Sequence, residues 1–176
     1  MPRRIVPLLT LALGLHVFSG AGVSAQTNTP LTMDRLVRMG PAELEALYRG
    51  AGVGAMPAGK VRGRAIVRPG QRIGPTLSRG ARILWQGKVF RPEDATAVNR
   101  FFGVRAVRGQ TSVGPSWLDG RPSLILDYSR TSLVYARVRD EIREVAPGLY
   151  LGLMYARSSP RPTFRMFFAL EAHGRG

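Results

Sequence analysis

The chain contains no cysteine, so disulfides, a lipid-modified cysteine anchor and thiol-based metal or nucleophile chemistry are all excluded. Only two of its 176 residues are histidine. His16 lies in an apolar N-terminal stretch and His173 in the tail, which leaves no Ser-His-Asp triad and no histidine metal site. Acidic residues are scarce, 11 against 26 basic ones, and nowhere do they have the loop glycine and spacing that an oxygen-ligated calcium needs. Neither metal nor cofactor is expected. Lysine is almost absent as well: Lys60 and Lys88 stand alone, and every other basic residue is arginine. The resulting charge of +15 invites a polyanion such as anionic lipid or polysaccharide. Because the arginines are spread from Arg35 to Arg175 rather than run together, a basic surface is expected and a dedicated nucleic-acid site is not.

What is present begins with a leader. Arg3 and Arg4 precede an apolar stretch, Ile5 to Phe18, that is too short and too interrupted by Pro7 to span a membrane. Val23-Ser24-Ala25 then supplies the small residues of a cleavage site. Cleavage after Ala25 is expected, with the mature chain starting at Gln26, carrying +13, and secreted or periplasmic. Residues 26–31 read as a flexible start, 32–172 as a single domain and 173–176 as a tail. A monomer is expected.

Within the domain, Thr32 suits the cap of a short helix, MDRLVRM, ended by Gly40. Pro41 then opens a second helix, PAELEALYRG, with acids near its start and Arg49 near its end. The glycine-rich stretch 50–63 matches a dinucleotide fingerprint (Gly50, Gly52, Ala55) and most of a phosphate-binding loop (Gly54, Gly59, Lys60). Both motifs need a strand before and a helix after, the reverse of the order expected here, so the stretch reads as a connection. Residues 76–86 carry helical spacing (Leu77, Ala81, Leu84, Trp85), and strand signals dominate beyond them.

Strands are expected over 61–67, 88–91, 95–107, 110–118, 122–128, 137–145, 149–157 and 163–171. Turns are expected at Arg108-Gly109, Asp119-Gly120, Pro147-Gly148 and 158–162. Short antiparallel strands after helices imply a mainly β, α+β fold: a meander closed into a lipocalin-like barrel or a strongly curved sheet. Leu149, Leu151, Leu153 and Tyr155 alternate with Tyr150, Gly152 and Met154, while Phe164, Met166, Phe168 and Leu170 share one face. Large residues on both faces mean that both are covered, one by the barrel interior and one by the N-terminal helices.

The stretch RDEIREV (139–145) places Asp140, Ile142 and Glu144 on one strand face and Glu141, Arg143 and Val145 on the other. Two carboxylates on one face are a candidate general acid and base of glycosidase type. Arginine bridges to neighbouring strands are the commoner use of such residues, and the structural use is expected. A histidine-free barrel enzyme of isomerase or lyase type would have to draw on Tyr128, Tyr135, Arg143, Glu144 and Tyr150.

The segments WQGKVF (85–90), SWLDGRPSLILDYS (116–129), RDEIREVAPGLYLGLMY (139–155) and FFALE (167–171) resemble a family of small exported or membrane-associated bacterial proteins of unassigned function. They are also similar to calycin (lipocalin-like) domains, although the Gly-x-Trp of that pattern is absent, since Gly87 follows Trp85. The resemblance implies a barrel that holds an apolar ligand and carries over no catalytic residue. The leading expectation is a binding protein for a hydrophobic or amphipathic small molecule. The expected lining is Trp85, Phe101, Trp117, Tyr128, Tyr150, Met154, Phe164 and Phe168, with Arg143 and Glu144 available to a polar head group.

Overall fold

The computed structural model describes residues 30–172; the expected leader and its cleavage site lie outside them. Helix α1 (Met33–Arg38) starts where Thr32 Oγ1 accepts the Arg35 N–H at 3.2 Å. Helix α2 (Pro41–Gly50) starts where Glu43 reaches back to the Gly40 N–H at 2.7 Å, and Glu45 pairs with Arg49 one turn on at 2.8 Å. Helix α3 (Gly74–Leu84) follows the first strand.

Eight antiparallel strands close into one up-and-down barrel. They are β1 (Gly59–Ile66), β2 (Trp85–Arg91), β3 (Thr96–Phe101), β4 (Val104–Pro115), β5 (Pro122–Asp127), β6 (Val138–Ala146), β7 (Leu149–Ala156) and β8 (Thr163–Ala172). Each strand pairs with its sequence neighbour, and β8 closes on β1 with Val61 opposite Ala172. Closure removes both sheet edges.

The wall has two buried faces. Outside it, Leu149, Leu151, Leu153, Tyr155, Phe167 and Ile66 pack beneath Leu36, Val37, Leu44 and Tyr48 of α1 and α2. Inside, Val61, Phe90, Leu124, Leu126, Ile142, Tyr150, Phe168 and Leu170 form the second cluster. The alternation seen in β7 is thus the alternation of two cores, and the helices cover the face that would otherwise be wet.

Two expectations, one about the strands and one about the glycine-rich stretch, are corrected. The turn lies at Phe102-Gly103 between β3 and β4, while Arg108-Gly109 sits inside β4 beside a bulge at Val107, which has a left-handed φ of 63°. Gly109 has another use: a Cβ there would meet the Tyr128 ring at 2.7 Å, so the glycine makes room for an interior aromatic. The glycine-rich stretch 51–58 is a plug rather than a simple linker. Val53 and Met56 pack into the interior cluster, and Glu144 N–H donates to Gly52 O at 3.1 Å.

Candidate functional site

The barrel is blocked at one end and hollow at the other. At the blocked end Tyr150 Oη donates to Ala55 O at 2.8 Å, and Glu144 accepts from Ala55 N at 3.3 Å and Gly148 N at 2.8 Å. Burial and the nearby Glu144 push the Tyr150 phenol up to about 12, so it stays protonated and donating.

In the other half lies a cavity of about 320 Å³. Ala65, Val67, Ala81, Leu84, Phe101, Val138, Met154, Met166 and Phe168 make its lining mostly apolar. A register shift between Trp85 and Gly87 turns the Trp85 ring into it. Gly152 lets Phe168 lie flat against the wall, because a Cβ at 152 would stand 2.2 Å from that ring.

One polar group of residues interrupts the apolar lining. Lys88 is almost completely buried, and its Nζ donates to Asn99 Oδ1 (2.7 Å), Tyr128 Oη (2.8 Å) and Asp140 Oδ2 (2.8 Å). Those three acceptors use all three ammonium protons. Tyr128 Oη donates in turn to Asp140 Oδ2 at 2.8 Å, and Asn99 Oδ1 also accepts from Trp85 Nε1 at 3.0 Å. The ammonium stands 5.5 Å from the ring centres of Trp85, Tyr128 and Phe168, which adds cation–π attraction on three sides.

Burial pulls the Lys88 ammonium below its ordinary value, and Asp140 opposes that shift without cancelling it. Burial and Asp140 together push the Tyr128 phenol well up. Tyr135, at the rim, is pushed up for the same two reasons. Its hydroxyl makes no hydrogen bond among the described residues.

Five of the expected lining residues meet here: Trp85, Phe101, Tyr128, Met154 and Phe168. Tyr150 faces the interior but belongs to the plug, as does Glu144. The other three are outside the barrel. Trp117 packs on Tyr155 and lies under the guanidinium groups of Arg139 (4.3 Å) and Arg157 (5.2 Å). Phe164 is carried outward by the irregularity at Met154/Tyr155, which pairs it with Tyr155 and sets its ring tilted against Phe167, 4.7 Å between centres.

Arg143 lies between the wall and α2. Its five N–H groups are fully used, by Pro122 O, Tyr48 O, Arg121 O and both carboxylate oxygens of Asp119 at 2.7 and 2.8 Å. No donor remains for a ligand head group.

The Asp140–Glu144 pair is also separated. Four residues of extended strand span about 13 Å, beyond the carboxylate spacing of either glycosidase class, and each carboxylate already has its own partners. The outward Glu141 accepts from Ser116 Oγ at 2.5 Å and pairs at 3.0 Å with Arg139 of its own strand, so its use is structural, although the bridge is not to a neighbouring strand as expected.

Sequence reasoning passed over Lys88, Asn99 and the partnership with Asp140. The available signal was Lys88 itself, one of two lysines in an arginine-rich chain, between Gly87 and an apolar Val-Phe pair.

No protein-family model and no curated protein matches the chain. Among solved structures it is similar to one described as "Crystal structure of protein from Thermomonospora curvata". The TM-score is 0.49 and the identity 19%, over 78% of this chain and 90% of that one. At that level the likeness says nothing about the site.

Proposed function

We propose that this protein binds a hydrophobic or amphipathic small molecule in the hollow half of its barrel, with an uncharged hydroxyl or carbonyl group turned to the polar cluster. The observation that carries this reading is the cavity of about 320 Å³, apolar except where Lys88, Asp140, Tyr128 and Asn99 meet. That volume is at the lower end of the range for small-molecule pockets, about 300–1,000 Å³, and suits one compact ligand rather than a two-chain lipid. Lys88 and Asp140 neutralise each other and their hydrogen bonds are made, so a charged head group would find no spare counter-charge. Tyr135 Oη, which has no hydrogen-bond partner among the described residues, is a donor available at the rim to a neutral oxygen.

Native mass spectrometry of protein purified without detergent tests the reading. A releasable organic mass is expected, and Met166→Trp, which fills the cavity, should abolish it while the thermal melt stays cooperative. An apo mass that takes up no apolar alcohol or ketone would overturn the proposal. Export is part of the same reading, and N-terminal sequencing of protein recovered outside the cytoplasm should begin at Gln26.

A second reading is favoured by the place of Lys88, a buried amine on the cavity wall beside Asp140. Once its ammonium has given a proton to Asp140, Lys88 can attack the carbonyl carbon of an apolar aldehyde. The carbonyl oxygen then leaves as water and a C=N bond forms. Borohydride would reduce that bond to a stable amine, so an adduct mapped to Lys88 supports the enzyme-like reading, and an unmodified chain sinks it.

A further inference from the structure

Four segments ring the hollow end of the barrel: 67–84, containing α3; 102–105, the β3–β4 turn with the first two residues of β4; 129–137, between β5 and β6; and 157–165, the β7–β8 connection with the first three residues of β8. They are continuous around the mouth. Phe102 N–H donates to Leu84 O at 3.2 Å, Phe101 packs on Tyr135 at 6.0 Å, and Arg157 N–H donates to Arg137 O at 2.6 Å.

Their surface composition is unlike the rest of the molecule. Of the nine large hydrophobic residues exposed among the described residues, only Val113 lies outside these segments. Leu133 is 100% exposed and Val134 86%, with Ile83, Phe102 and Val104 each above 60%. The same four segments carry nine exposed arginines and no aspartate or glutamate. The plugged end carries exposed acids, Glu93 and Asp94 between β2 and β3, while between β4 and β5 Asp119 is paired with the buried Arg143 and Arg121 is exposed.

Exposed apolar tips set among cations, with the nearby Asp127 at the end of β5 already paired with Arg157 at 2.6 Å, match one kind of partner: a bilayer surface rich in anionic lipid. The tips enter the boundary between head groups and acyl chains, and the arginines pair with phosphates above it. A soluble polyanion would reward the arginines but leave Leu133 and Val134 in water. We infer that the open end of the barrel is a docking face for an anionic membrane surface, which would set the cavity mouth against the lipid. The docking face stands whether or not the cavity carries a ligand.

The test is co-sedimentation of the full chain with vesicles of phosphatidylcholine alone and of phosphatidylcholine mixed with phosphatidylglycerol. The parent should partition onto the mixed vesicles and lose binding as salt rises. Arg105→Glu with Arg130→Glu should weaken partitioning on the order of tenfold or more. Leu133→Ser with Val134→Ser should also weaken it, by roughly tenfold. All four side chains are exposed, so the melts of both variants should match the parent.

Equal binding to both vesicle types would overturn the inference. So would loss of binding in the arginine variant with none in the Leu133/Val134 variant, which would mark a plain polyanion surface. Unchanged binding in both variants would also overturn it, since any attraction from the shared N-terminal residues is the same in all three proteins. The cavity-filled Met166→Trp should still dock, which separates this result from the fate of the ligand-binding reading.

Discussion

Lys88 and Arg143 are both buried cations paired with an aspartate, and they lie on opposite sides of one wall. Arg143 is sealed between the barrel and α2, with its five N–H groups occupied and its guanidinium 4.4 Å from the Tyr48 ring centre. Lys88 is equally well bonded but borders empty space. Burial alone therefore does not separate a structural cation from a candidate functional one. The separation comes from what lies on the far side of the charged group, a packed helix in one case and a cavity in the other.

The sharpest way to break this comparison is to remove Arg143. Arg143→Ala strands Asp119, Tyr48 O and two loop carbonyls in a dry interface, and should cost about 3–5 kcal/mol, read as a lowered denaturant midpoint. Lys88→Met should cost less, about 1–3 kcal/mol, because water can enter the cavity and Asp140 can take up a proton. Adding Asp140→Leu should recover most of that loss while ligand uptake stays impaired. A double variant as unstable as Arg143→Ala would show that Lys88 is a structural cation after all.

The smallest effect concerns pH. The hydrogen bond from Arg143 holds the Asp119 carboxyl below its ordinary value, so its contribution is full above the unfolded carboxylate range, near pH 4, and is lost as pH falls through the folded value. Acid titration of Asp119→Asn should therefore show a shallower loss of stability below pH 4 than the parent. An identical acid limb would mean that Asp119 is not held by Arg143 in solution.

The fold was legible because two signals do not depend on tertiary contacts: helix starts such as the Thr32 cap and Pro41, and period-two alternation in β6 to β8. The site was legible only in part. Each bulge reverses which side chains face inward, so Phe164 leaves the interior although it shares parity with Met166 and Phe168. Trp117 and Arg143 misled for a related reason: α1 and α2 bury the outer face as deeply as the inner one, and an apolar or aromatic residue is equally at home on either. Glu144 faces inward as its parity requires, but the plug that claims it comes from residues 51–58, ninety positions upstream, where local pattern carries no information. Lys88 was hidden by its solitude, since a lone cation in a strand ordinarily points to water.

The pairing of β1 with β8 also governs how the molecule comes into being. Every other strand finds its partner within one connection, but Val61 must wait for Ala172, more than a hundred residues later. During synthesis the growing sheet keeps a free edge on β1 until the final strand emerges. The loop-closure entropy of that last contact makes it the expected slow step of refolding. A chain cut short before Thr163 would keep two unpaired edges and the aggregation hazard that the finished cylinder removes. Quality control of this protein thus rests on the ten residues of β8.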